Sequence, residues 1–273
     1  MKVYILFSFL LFLCNKPIKA HGDLDTRIEA ITTAIQSNPD SASLYFARGK
    51  LRFQHEEYQE SIDDINESIT KGFSHELQNI YLAKSFFKLN NYREASDKLT
   101  LFLQADPNNV VGLNLKARIL FGQQKFEESA QCFENVIQLA IKSLPENYLE
   151  AAQSWTASSN PNKYQKTVDI LESGIKNLGT IVTLQNKLIE IHLQNQNGDK
   201  AVEVQLSIIE KNKRKETAYY KLAEIYIQLD EKENAKRAAK NALAHLEKLP
   251  RRFQQNSAMK DLNDKIHQLI INH

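Results

Sequence analysis

The stretch KLNNYREASDKLTLFLQADPNN, residues 88–109, decides the fold. Tyr92 is followed three places on by the small Ala95, then by Leu99 and Leu103 at helical spacing, and Pro107 closes the pattern. The same pattern recurs. An aromatic stands 34 residues earlier at Tyr58, 34 later at Phe126, and again at Tyr164 after a spacing of 38; further steps of 34 reach Gly198 and Lys232, where the ring is lost. Three places past each of these positions stand Ser61, Ala95, Ser129, Thr167, Ala201 and Ala235, all small, as close contact between helices requires. Eleven places past them stand Ile69, Leu103, Ile137, Ile175, Ile209 and Leu243, all aliphatic.

A period in this range decides architecture before any motif does. Each repeat divides into two helical patterns of about a dozen residues, separated by a short polar break just before the aromatic. Neither half buries its apolar face alone, so neighbouring repeats must stack. Asn38-Pro39-Asp40 and Asp106-Pro107-Asn108 close second helices, because proline lacks a backbone donor and restricts the residue before it; Asn160-Pro161-Asn162 falls at the turn inside its repeat.

These residues resemble the tetratricopeptide repeat family. A small residue nine places before the aromatic is met by Gly49, Ala83, Ala117 and Ala223, the small residue after it by Ala95, and the closing proline by Pro107. The scaffold anchors are then Tyr58, Tyr92, Ala95, Phe126 and Tyr164. The fourth repeat departs from the pattern, with Trp155 at the small position and Gly179 at its end, and four extra residues around AIKSLPEN point to a longer connection between repeats. The resemblance implies an all-α solenoid, a right-handed superhelix of antiparallel helix pairs in one elongated domain. Residues 21–41 form an opening half-repeat, 42–249 six repeats, and 250–273 a capping helix with an apolar stripe at Met259, Leu262, Ile266, Leu269 and Ile270.

The first twenty residues, MKVYILFSFLLFLCNKPIKA, have the form of a signal peptide: Lys2, an apolar run from Val3 to Cys14, then a short polar region ending in Ala20. A membrane span needs roughly 20 apolar residues, so an N-terminal anchor is the weaker reading. Lipid attachment at Cys14 is disfavoured by the bulky Leu13 before it. Export to a periplasm or the medium is expected, with no membrane span after cleavage. Cleavage removes Lys2, Lys16 and Lys19, leaving 32 basic against 33 acidic residues, which gives no global electrostatic case for nucleic acid. Cys132 is then the single cysteine, so no intramolecular disulfide forms.

No phosphate-cradling glycine loop, paired metal-ligand cysteines or nucleophile elbow occurs, and no cofactor is expected. The chain reads as a non-catalytic scaffold for a protein or extended peptide. In proteins it resembles, the first helix of each repeat lines the concave face. Eight residues before each anchor run Lys50, Lys84, Arg118, Thr156, Glu190 and Glu224; five before run Phe53, Phe87, Phe121, Ser159, Leu193 and Ile227. Three cations beside three phenylalanines suit an extended segment with acidic groups, and Asn114 is placed to bond its backbone. The competing reading packs the phenylalanines between helices and leaves the lysines as a solvated face. The carboxylate clamp by which some family members hold chaperone tails is absent, since matching places hold Phe46, Tyr81, Val111 and Leu115. An alternative is an accessory subunit of a cell-envelope enzyme or metal-handling system, with Cu(II) chelated by the imidazole and free amine of a processed His21; otherwise no metal is expected. A purely structural component assembling through its convex face is a third reading.

Overall fold

The computed structural model describes residues 21–272, and the expectations for residues 1–20, signal peptide and Cys14 included, lie outside the described residues. Among the described residues there are fifteen helices and no strand. The opening helix α1 spans His21–Ser37. Repeat one follows as α2 (Ala42–Gln54) and α3 (Tyr58–Thr70), repeat two as α4 (Gln78–Lys88) and α5 (Tyr92–Ala105), and repeat three as α6 (Val110–Gly122) and α7 (Phe126–Leu139). Repeat four is α8 (Pro145–Ala157) and α9 (Lys163–Leu178), repeat five α10 (Val182–Gln194) and α11 (Gly198–Lys211), and repeat six α12 (Glu216–Gln228) and α13 (Lys232–Glu247). A short α14 (Arg251–Gln254) leads to α15 (Ser257–Asn272), which packs against α13 through the buried Leu262 and Ile266.

The chain divides after Asp106 into two compact units. The division falls at Pro107, where the missing backbone donor stops α5. Each unit is a stack of helix pairs.

Five repeats turn between their helices in the same way. Glu56, Asn90, Gln124, Gln196 and Asp230 all have φ between 59° and 66°, and each lies two residues before its anchor position. The backbone bonds follow one scheme: Glu57 N–H donates to Arg52 O and Glu56 N–H to Phe53 O, and equivalent pairs recur at Asn91/Asn90, Lys125/Gln124, Asn197/Gln196 and Glu231/Asp230. This is the Schellman ending, in which one left-handed residue turns the last carbonyls of the first helix onto the two N–H groups that follow. Three residues then suffice to reverse the chain.

Repeat four breaks the scheme, and the break corrects the register read from sequence. Its turn, residues 158–162, has five residues and no left-handed one; Asn162 has φ −96°. The hydroxyl pairs that link neighbouring repeats fix the offset. Ser85 contacts Ser61, 24 residues away, at 3.3 Å, and Ser154 contacts Ser129, 25 away, at 3.0 Å. Only one of the four extra residues therefore lies between α7 and α8; the other three lie between α8 and Tyr164, two in the Pro161 turn and one as Lys163 at the start of α9, contrary to the longer connection expected around AIKSLPEN. The small position of α8 is Ala152, not Trp155, and the residues matching the Lys50 and Phe53 columns are Gln153 and Thr156, not Thr156 and Ser159.

With that register a small residue stands at the matching position of both helices in every repeat but the fifth: Gly49 and Ser61, Ala83 and Ala95, Ala117 and Ser129, Ala152 and Thr167, Ala223 and Ala235, all buried. In repeat five Ile189 faces Ala201. The Ser61 and Ser129 hydroxyls donate to the carbonyls of Gly49 and Ala117, each at 2.8 Å. A methyl at Gly49 would sit 2.8 Å from Ile65 Cγ1, so glycine is required there for the close approach. The aliphatic column eleven past the anchor is not the core: of its six residues only Ile209 is buried, and Ile69 is 43% exposed. The core position lies seven past, at Ile65, Leu99, Phe133, Leu171, Gln205 and Ala239, all buried. A helix face recurring at three to four residues carries both columns on neighbouring stripes, and the inner one is set by the neighbour it meets.

Polar contacts tie α1 to the first repeat. Buried Asp64 accepts from Arg48 Nε at 2.8 Å and a terminal nitrogen at 2.7 Å, and from Arg52 at 2.9 Å, while Arg48 also donates to Thr32 Oγ1 on α1 at 3.2 Å. His55 reaches Asp25 on α1 at 2.9 Å and Glu57 at 3.0 Å.

Candidate functional site

The first helix of each repeat carries the residues singled out for recognition, because its exposed positions recur once per turn pair. In the N-terminal unit α2 and α4 lie side by side and bring Lys50 and Lys84 around one ring, Tyr81. Lys84 Nζ lies 5.6 Å and Lys50 Nζ 6.0 Å from its centroid; Lys50 is also 5.5 Å from the Phe46 ring. Phe53 meets the same Tyr81 edge-on at 5.8 Å. Neither lysine has a carboxylate within ion-pairing distance among the described residues. Both are half-buried, and burial holds the Lys84 ammonium below the ordinary lysine pKa. Two ammonium groups thus stand near one ring with no carboxylate in ion-pairing range among the described residues, an arrangement chemically able to attract an anionic group.

The other candidates are placed differently. Arg118, in the C-terminal unit, forms a two-pronged ion pair with Glu150 of α8 at 3.1 Å through each prong, so it is not a free third cation. Asn114 donates to Asn147 Oδ1 at 2.7 Å, and Asn147 donates on to Ser143, so its amide links repeats three and four. Each phenylalanine of the column meets the anchor ring of its own repeat, and Phe53 also meets Tyr81 of the next. Phe53 meets Tyr58 at 5.7 Å, Phe87 meets Tyr92 at 6.0 Å and Phe121 meets Phe126 at 5.1 Å, ring centroid to centroid. All three remain half-buried, with part of each ring open to solvent. Tyr164, the fourth anchor, accepts a different role, with its hydroxyl 2.9 Å from His192 Nδ1. Sequence reasoning treated Tyr81 only as a departure from the clamp. The signal for its part in the site was its position three before Lys84, on the same helix face.

The His21 side chain lies outside the described residues, and among the described residues no group of three or more His, Cys, Asp or Glu is arranged to hold a metal. Cys132 is half-buried, its thiol donates to Leu113 O at 3.3 Å, and burial raises its pKa, which disfavours the thiolate a nucleophile needs. Among the described residues no helix is long and apolar enough to cross a membrane.

Residues 216–244, the helix pair α12–α13, match the family model for the tetratricopeptide repeat. No curated protein matches the chain. Among solved structures, the C-terminal part of a TPR repeat-containing protein from Cytophaga hutchinsonii is similar with a TM-score of 0.65 at 15% identity, covering 88% of this chain and 94% of that one. A tetratricopeptide repeat protein from Parabacteroides merdae is similar with a TM-score of 0.55 at 15% identity, covering 90% and 93%. MamA from Desulfovibrio magneticus reaches 0.53 at 13% identity over 62% and 93%. The chain thus has the fold of tetratricopeptide-repeat proteins, and its sixth repeat matches that family's model.

Proposed function

We propose that the protein is an exported, non-catalytic interaction scaffold that takes an extended acidic segment of a protein partner on the α2–α4 face of its N-terminal unit. The observation that carries this is the unpaired Lys50 and Lys84 around Tyr81. Partly desolvated cations bind a carboxylate more strongly than fully hydrated ones, because less water is displaced and the local dielectric is lower. Half-exposed Phe53 and Phe87 lie one turn along the same helices and offer apolar surface to side chains flanking the acid. Export is supported by the apolar run and Ala20 of the first twenty residues. The lowered Lys84 pKa supports a role beyond folding, since a lysine held against its preference for charge costs stability that function can require.

Fluorescence anisotropy of a labelled peptide alternating glutamate with phenylalanine tests the proposal. Saturable binding is expected, lost by at least about tenfold in Lys50→Glu/Lys84→Glu, where two attractions become repulsions. Lys84→Met should weaken the peptide and raise the melting temperature, because it removes a buried charge and keeps the stem volume. Equal peptide affinity in wild type and the double variant would overturn the site.

A further inference from the structure

A second cationic site lies in the C-terminal unit, where the sequence KNKRKE, residues 211–216, joins α11 to α12. Lys213, Lys215, His245 and Lys248 line a cleft of about 330 Å3 between this loop and the C-terminal end of α13. Arg214 also lines the cleft and lies 5.6 Å from the Phe253 ring, which Arg252 approaches at 4.8 Å. Glu216 is the one carboxylate on the wall, and it is buried and engaged by Arg214 through Nε at 2.8 Å and a terminal nitrogen at 2.7 Å. Among the described residues, Lys213, Lys215 and Lys248 have no ion-pair partner. The two helix ends at the cleft oppose each other: α12 begins there with its positive pole and α13 ends there with its negative one, so the side chains decide the sign.

We propose that this cleft binds a compact, multiply charged phosphate anion. Lys213, Lys215 and Lys248, from a loop and a helix end, line one cleft of small-ligand size, in a chain whose charge from residue 21 onward is close to neutral. Cations gathered around one cleft suit several charges on one small group. An extended acidic peptide would need cations strung along a groove. A single-stranded nucleic acid would need open ring faces for stacking, but Phe253 is engaged by two guanidinium groups and Tyr219 by His245 at 5.1 Å. The same chemistry is presented by a soluble polyphosphate and by the headgroup of a phosphorylated lipid.

Isothermal titration with inorganic pyrophosphate tests the inference. One saturable site is expected, weakening with added salt. Lys213→Glu/Lys248→Glu should lower the affinity at least about tenfold, and Lys213→Gln/Lys248→Gln by less, with far-ultraviolet circular dichroism melts confirming that both variants are folded. Lys50→Glu/Lys84→Glu should leave pyrophosphate binding unchanged, which keeps the outcome separate from that of the peptide site. Sedimentation with phosphatidylcholine vesicles containing phosphatidylinositol phosphate, competed by pyrophosphate, assigns the lipid source; pyrophosphate binding without sedimentation assigns the soluble one. Absence of saturable pyrophosphate binding, equal affinity in the Lys213→Glu/Lys248→Glu variant, or tighter binding of a poly-glutamate peptide through the same lysines would overturn the proposal.

Discussion

Replacing Gln124 with glycine tests whether the repeated turn stores backbone strain. Gln124 has φ 61°, a region in which a side chain's Cβ crowds the following carbonyl at a cost of about 1–2 kcal/mol. Glycine removes that cost but loses more freedom on folding, about 0.4–1 kcal/mol. The difference predicts a net stabilisation of roughly 0.5–1 kcal/mol for Gln124→Gly, and the same for Gln196→Gly at φ 59°. Two internal controls sharpen the test. Asn90 also has φ 59°, but asparagine tolerates this conformation and its Oδ1 accepts from Tyr92 Oη at 2.9 Å, so Asn90→Gly should gain nothing. Asn162, at the equivalent place in repeat four, has φ −96°; glycine there relieves no strain and should cost about 0.5–1 kcal/mol. Urea unfolding followed by circular dichroism measures each change as a shift of midpoint at constant slope, a few tenths of a molar per half kilocalorie. Destabilisation by Gln124→Gly, or stabilisation by Asn162→Gly, would refute the strain argument.

Two further perturbations probe buried charge. Asp64→Asn leaves Arg48 and Arg52 side chains, 12% and 22% exposed, without their shared carboxylate, and should destabilise the N-terminal unit by about 3 kcal/mol in urea unfolding, with little rescue by salt. A smaller loss than about 1 kcal/mol would mean that solvent reaches the pair. His192 is buried beside Tyr164, and burial, with Lys200 second, holds its pKa below the ordinary histidine value while Glu203 opposes them. The unfolded chain then takes up a proton as pH falls through about 6.5 while the folded one does not, so stability falls with pH below that point until the lowered pKa is reached. The His192→Phe variant should show a flatter urea midpoint between pH 7 and pH 5; an unchanged slope would assign the loss to another group.

The repeat was legible because its requirement is local and steric. Wherever two helices cross closely a small residue must stand, and Ser61, Ala95, Ser129, Thr167, Ala201 and Ala235 mark those crossings in sequence, all buried. The register of repeat four was not legible. An anchor such as Tyr164 counts residues in a repeat without saying which side of the first helix the extra ones occupy; Ser154 meeting Ser129 decides it, and that contact exists only in the fold. Nor did the aliphatic column at Ile69 and Leu103 separate core from flank, because adjacent stripes of one helix share the same spacing.

The site shows the same division between residue identity and pairing. Lys50, Lys84 and Arg118 are equivalent as letters 34 residues apart, yet Glu150 pairs with the third and, among the described residues, no acid reaches the first two. What distinguishes a recognition cation from a structural one is the charge opposite it, and that charge lies on a neighbouring helix at a separation set by packing. The cationic cleft of the C-terminal unit makes the point from the other direction. The run Lys213-Arg214-Lys215 is visible in sequence as a charged loop of the kind that most often faces solvent; only the fold brings Lys248 and His245 to it from the end of α13. In a solenoid, where the backbone repeats, departures from equivalence at repeated positions are what mark the surfaces able to bind, and both sites here are departures of charge balance on an otherwise neutral chain.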